Sequence, residues 1–223
     1  MAGVRQFDET KTLDKALALF WKKGYMATTM LDLAESTGVQ RGSLYNAYRT
    51  KERLFTLAFD RYKAAMLAEA RQALAADDVR DALGAFFEWT IQSMTRGVPS
   101  RGCLTTKTAM EEDKDSPEIQ AALRGMLDDL ETELQQRFSR PDAAPRLALP
   151  AADAARAVIT YTRGIVVVER VYQDAARLRH AAELLVNLLI RPAAADKADK
   201  ADKADKADKA DAFAGAGKRA VRT

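Results

Sequence analysis

The chain has 223 residues, 48% of them hydrophobic, with 35 Lys and Arg against 32 Asp and Glu and a net charge of +3. That is enough apolar material for a buried core, but no apolar run approaches the roughly 20 residues of a membrane span, and Met1 to Thr10 has neither the charged start nor the apolar centre of a signal peptide. A cytoplasmic protein is expected, and a single cysteine, Cys103, excludes an internal disulfide framework.

Taken in chain order, Phe7 and Asp8 open a first helix whose apolar stripe, Leu13, Leu17, Phe20 and Trp21, ends near Gly24. Thr29 stands three residues before Asp32, a capping-box spacing that starts a second helix at Met30 with Leu31, Leu33 and Ala34 on its buried side. Gly38 sits where a left-handed helix end is wanted, and Val39 plugs the turn. A third helix runs from Arg41 to Tyr48, with Leu44 and Tyr48 on one face at i,i+4. Its other positions carry a guanidinium, a hydroxyl, a phenol and an amide, which fill a core poorly and suit a reader of base edges. Gly42 removes bulk where such a helix approaches the groove. Thr50 caps a fourth helix, and Lys51 in its first turn can grip a phosphate. The set expected to face DNA is Thr29, Gln40, Arg41, Gly42, Ser43, Tyr45, Asn46, Tyr48 and Lys51.

The run from Phe7 to Phe55 resembles the N-terminal domain of TetR-family transcriptional repressors. The likeness is carried by LFWKKGY at the end of the first helix, the Thr28-Thr29 pair, the Gly38-Val39 turn, Gly42-Ser43-Leu44-Tyr45 and Lys51-Glu52. The resemblance implies base contacts from Arg41, Gly42 and Ser43, and mostly backbone contacts from Thr29, Tyr45, Asn46 and Lys51. It also implies a homodimer on a palindromic operator and release by a small-molecule inducer. The sequence departs from the family where Asn46 and Ala47 replace a frequent histidine or aromatic, and where Arg49 and Thr50 replace a common Pro-Ser or Asp-Ser. Of the basic arm the family often carries, only Arg5 is left.

From Lys51 an amphipathic connector runs through Leu54, Leu57, Ala58 and Tyr62 towards Leu74. A further helix spans Asp78 or Val79 to about Thr95, and Gly97-Val98-Pro99-Ser100 breaks it. The segment Arg101 to Glu112 follows, then a turn at Asp115 and Ser116, and Pro117 opens a helix to Phe138. Pro141, Pro145 and Pro150 mark a loop. The helices Ala151 to Tyr172 and Arg177 to Ile190 are the candidates for an isologous four-helix dimer bundle, the first carrying Ala154, Val158, Tyr161, Ile165, Val168 and Tyr172 on one side and, with Ala155, Thr162, Val166 and Val167, apolar nearly all round in its middle. No stretch alternates as a strand, so the fold class is all-α: a DNA-binding head over 1–51, a ligand-binding and dimerisation domain over 52–192, and a tail over 193–223.

The segment RGCLTTKTAMEED resembles a Gly-Cys-Leu pattern in one branch of TetR-like regulators, some of which respond to electrophiles through that cysteine. Cys103 near a helix start, with Arg101 and Lys107 close in sequence, favours thiolate and hence reaction with soft electrophiles; a small buried cysteine packed against the connector fits the same residues. Cys103, Lys107 and Met110 are therefore the candidate ligand or thiol-sensor set, and the region a candidate pocket wall. Glu111, Glu112 and Asp113 read as a solvated helix end, and His180 as a surface or interface imidazole. No metal set, cofactor loop or catalytic constellation is predicted. The tail repeats Asp-Lys-Ala from Asp196 to Ala210 and is expected to be disordered. It holds 8 basic and 6 acidic residues from Ala193 onward, leaving 27 against 26 elsewhere, so the overall charge does not itself point to nucleic acid. The function expected is a ligand-responsive regulator, most simply a repressor. The competing readings are a dimeric small-molecule binder without DNA regulation and a helical enzyme with Cys103 as nucleophile.

Overall fold

The computed structural model describes residues 7–97, 100–111 and 116–192. Expectations about Arg5, Val98, Pro99, Glu112, Asp113, Asp115 and the tail lie outside these residues. The described chain forms α1 (Glu9–Lys23), α2 (Met30–Thr37), α3 (Arg41–Tyr48), α4 (Lys51–Ala73), α5 (Val79–Thr95), α6 (Leu104–Ala109), α7 (Pro117–Phe138), α8 (Ala151–Tyr172) and α9 (Ala175–Leu189), with one 3-10 turn at Ala144–Arg146. Among the described residues there is no strand, only an isolated antiparallel bridge between Leu147 and Ile190. No described helix is long and apolar enough to cross a membrane.

Helix starts follow the capping side chains. Asp8, Thr29, Thr50, Asp78, Ser116 and Asp174 each accept a backbone N–H from the first turn that follows. Asp174 moves the start of α9 to Ala175, two residues before the expected Arg177, because its carboxylate takes the N–H groups of Ala176 and Arg177. Between Arg101 and Glu111 only Leu104–Ala109 is helical, since Gly102 takes a φ of +67° and delays the helix.

The connector α4 is the shared wall. It packs on α1 and α3 of the head and on α5 and α7 of the body, with α7 lying along it from Glu52, which accepts from Ser116, to Arg71, which pairs with Glu133. An aromatic column follows it from head to body: Phe20 meets Phe55 at 5.1 Å, Phe55 meets Phe59 at 5.6 Å, Phe59 meets Tyr62 at 5.6 Å and Tyr62 meets Trp21 at 5.1 Å. In the body, α7 packs on α8 and α5 on α9. Two placements differ from the sequence reading. Leu31 is 56% exposed, because Met30 and Leu33 hold the inner side of α2. On α8 the buried row is Ala154, Ala155, Val158, Ile159, Thr162, Ile165 and Glu169, which turns Tyr172 outward and leaves Tyr161 and Val168 only half-buried.

Arg137 near the end of α7 is 2% exposed and serves as the joint between α4 and α5. Its guanidinium donates to the carbonyls of Ala76 at 2.9 Å and Asp77 at 2.8 Å, and pairs with Asp142 at 3.0 Å. Arg137→Ala leaves two carbonyls in the turn without their donor and should lower stability by about 2 to 4 kcal/mol. A urea midpoint equal to that of the unsubstituted protein would show that other contacts hold this turn.

Candidate nucleic-acid interface

The helix-turn-helix is fixed by contacts short in sequence. The Thr29 hydroxyl accepts the Asp32 N–H at 3.2 Å, and the Asp32 carboxylate accepts the Thr29 N–H at 2.7 Å. Lys23 pairs with the same carboxylate at 2.6 Å. That ammonium first, then the Thr29 hydroxyl and N–H, hold the Asp32 carboxyl well below the usual range. Gly38 closes α2 with a φ of +73°, and buried Val39 packs beneath the turn. These restraints set the axis of α3, whose inner face is Leu44 and Tyr48.

Of the expected DNA-facing set, Thr29, Gln40, Arg41, Gly42, Tyr45 and Asn46 are exposed, and Ser43 is half-exposed on the same outward side. The Arg41 guanidinium lies 5.6 Å from the Tyr45 ring centroid, a cation–π contact that orients it along the helix. A Cβ at Gly42 would meet nothing within 4 Å, so the surface there is open to a groove. Tyr48 is the correction: at 1% exposure it belongs to the core, with its ring 6.2 Å from that of Phe7. Its i,i+4 relation to Leu44 decides its direction, and the phenol does not override it. Lys51 donates from Nζ to the Tyr25 carbonyl at 3.0 Å and stands 4.2 Å from that ring's centroid, so it fastens the α1–α2 turn beside the interface.

The head is clamped to the body through α6. Lys107 Nζ donates to the carbonyls of Trp21 at 2.9 Å and Lys22 at 3.0 Å, the end of α1 where a cation is favoured. Four residues on, the Glu111 carboxylate accepts the N–H groups of Tyr25 at 3.1 Å and Met26 at 2.7 Å. Glu111 is therefore a cross-domain acceptor where a solvated helix end was expected. Trp21 completes the joint, donating from its indole to the Arg101 carbonyl at 2.9 Å while the Arg101 guanidinium covers its ring at 4.1 Å.

Cys103 lies at the N-terminal end of α6 and lines a cavity of about 30 Å³, walled in part by Trp21, Phe86, Trp89 and Met126. That is close to the volume of one water molecule. The cation at its sulfur is Arg163 of α8, whose NH1 donates to Sγ at 3.4 Å; Lys107 and Arg101 are engaged as described above. Met110, expected in the pocket wall, is 80% exposed, because α6 ends one residue before it. The structure thus brings Cys103 to this cavity, and neither Lys107 nor Met110 lines it. Sequence reading missed Arg163, which lies 60 residues from Cys103 with no local pattern to announce it.

Outside the core, α8 and α9 expose Val167, Val171, Tyr172, Leu184 and Leu188, the last at 73%. His180 is exposed on α9.

Residues 13–58 match the family model described as bacterial regulatory proteins, tetR family, and residues 79–185 match that of the tetracyclin repressor-like C-terminal domain. The HTH-type transcriptional repressor ComR of Escherichia coli K12 is 34% identical over 132 residues, 58% of this chain and 63% of ComR. The uncharacterized HTH-type regulator YezE of Bacillus subtilis 168 is 28% identical over 53% of this chain and 62% of its own. Both relatives are matched over less than two thirds of their length. Among solved structures, a cysteine mutant of the TetR family regulator CifR, complexed with 26-bp double-strand operator DNA, superposes with a TM-score of 0.73 at 25% identity, covering 82% of this chain and 98% of that one. Reduced Escherichia coli NemR gives 0.75 at 20% identity over 83% and 98%, a likeness of fold.

Gly24 tests the clamp. Its φ is +94°, and a Cβ there would stand 2.5 Å from Glu111 Oε1. Gly24→Ala should destabilise the protein by more than about 1 kcal/mol, combining backbone strain with displacement of the carboxylate. Thermal unfolding unchanged by the substitution would mean that Glu111 yields without loss.

Proposed function

Because the chain belongs to the TetR family of bacterial regulatory proteins, we propose that it is a ligand-responsive transcriptional repressor that binds a palindromic operator as a homodimer. The observation that carries this reading is α3, whose inner face is buried at Leu44 and Tyr48 while Arg41, Gly42, Ser43, Tyr45 and Asn46 face outward. Arg41 donates a fork of two hydrogen bonds to a guanine, Gly42 and Ser43 let the helix approach the bases, and Thr29, Tyr45, Asn46 and Lys51 hold phosphates. That ComR is a transcriptional repressor and that CifR is found in complex with operator DNA support the reading.

Residues 1–51 serve as the head and 52–192 as the body. Dimerisation covers Val167, Val171, Leu184 and Leu188, which otherwise leave an apolar patch in water. The inducer enters the cavity beside Cys103 and Arg163. Opening that cavity moves α6 and the bend after it, which carry the head through Lys107 and Glu111, so an inducer that prefers the opened form shifts the heads away from operator spacing. The Cys103 thiol, next to the Arg163 guanidinium, is the group through which an electrophile acts on the same cavity. A regulator of chromosomal DNA works in the cytoplasm.

Anisotropy of labelled DNA from the region upstream of the protein's own gene, at fixed salt, tests the reading. Arg41→Ala should cost about 1 to 3 kcal/mol at one base position and little on unrelated duplexes; equal losses on every sequence would sink its role as a base reader. Cys103 is the only thiol in the chain, so maleimide treatment acts at one place. Operator binding should be lost on alkylation, and binding that survives complete alkylation would rule out the covalent route and leave a non-covalent inducer.

A further inference from the structure

A second recess lies at the junction of head and body, open between α1, α6 and α8, with a volume of about 550 Å³. That is the size of a small-molecule site. Its lining includes Trp21, Lys22, Ser100, Arg101, Lys107 and Arg170, four cations and no carboxylate. Among the described residues none of the four makes an ion pair. Their contacts run to carbonyls instead: Lys107 to Trp21 and Lys22, Arg101 Nε to Ser93 at 3.2 Å, and Arg170 NH1 to Ser100 at 3.1 Å.

Neutralising the end of α1 accounts for Lys22 and Lys107. It does not account for Arg101 and Arg170, which come from outside α1. Arg170 sits in the last turn of α8 but turns its guanidinium to the Ser100 carbonyl of another segment. Burial, then the charge of Arg96, hold Arg101 below the usual guanidinium range. Glu69, the one carboxylate that offsets this, accepts the Trp89 indole N–H at 2.9 Å and does not line the recess. The Ser100 hydroxyl is buried and has no hydrogen-bond partner among the described residues. Two guanidinium groups keep N–H donors beyond those already used, and such forks match the oxygens of a phosphate.

We propose that this recess binds a small phosphate-bearing anion, held by Arg101 and Arg170 with Lys22 and Lys107 completing the charge. The site is distinct from the cavity beside Cys103 and does not depend on the repressor reading. An anion held there ties α1 to α6 and α8, and so raises the stability of the junction.

Calorimetric titration of the full chain with inorganic pyrophosphate, without DNA and at ionic strength held constant with sodium chloride, tests it. Saturable binding of one anion per chain is expected, weakened about tenfold in Arg170→Gln and in Arg101→Gln, unchanged in Cys103→Ser and largely kept in Arg170→Lys. The melting temperature should rise with pyrophosphate in the unsubstituted protein and not in Arg170→Gln, whose fold is checked by circular dichroism. Absence of saturable heat, or an affinity in both glutamine variants equal to that of the unsubstituted protein, overturns the proposal. So does a silent titration combined with a flatter salt dependence of duplex binding in Arg170→Gln, which would assign these cations to the DNA backbone.

Discussion

The end of α1 is the point on which the geometry of the head depends. A helix end leaves carbonyls without partners, and the turn that follows leaves N–H groups without them. Here α6 and the bend that follows it supply both needs, Lys107 to the carbonyls of Trp21 and Lys22, Glu111 to the N–H groups of Tyr25 and Met26. Lys107 stands in the last turn of α6 and Glu111 two residues beyond its end, so one short stretch of the body holds both sides of the turn. Because these donors and acceptors belong to backbone, shifting α6 without the head would leave backbone polar groups unmatched. The two parts are thereby coupled more firmly than packing alone would couple them.

The aromatic column along α4 gives the clamp a second anchorage. Phe20, Phe55, Phe59, Tyr62 and Trp21 touch in sequence from the floor of the head to the edge of the Cys103 cavity. Trp21 takes part in both systems, packing on Tyr62 while its indole N–H reaches Arg101. The recognition helix is remote from this joint but inherits its orientation, since α3 has only Leu44 and Tyr48 buried and rests on elements that the joint positions.

The helix-turn-helix was legible because its determinants are local. A capping box spans four residues, a left-handed glycine one, and an apolar face repeats every three or four. Tyr48 shows the same logic from the other side: the spacing from Leu44 already placed it inward, and counting its polar tip as a DNA contact ignored that. The joint, and the partner that Cys103 meets at its cavity, were not legible. Lys107 and Trp21 are 86 residues apart, Glu111 and Tyr25 likewise, and Cys103 and Arg163 are 60 apart. Nothing in the periodicity of one helix states which residue of another it will meet. Sequence proximity suggested Arg101 and Lys107 as the partners of Cys103, and the fold gave both to other tasks. Hydrophobicity places Leu31 inward, but its neighbours Met30 and Leu33 already fill that side.

The cavity at Cys103 has room for little more than one water molecule. In the repressor proposed here, the empty protein is therefore the well-packed one, and an inducer meets a closed door. Its apparent affinity is its intrinsic affinity reduced by the fraction of molecules that stand open. Tight packing at this point then acts as a threshold: traces of a ligand leave the genes silent, and the response begins only when its concentration makes good the energy of opening. Substitutions that loosen Met66, Met94 or Met126 in the cavity wall would shift the dose at which the switch turns, without touching either the ligand's polar contacts or the helix that reads DNA.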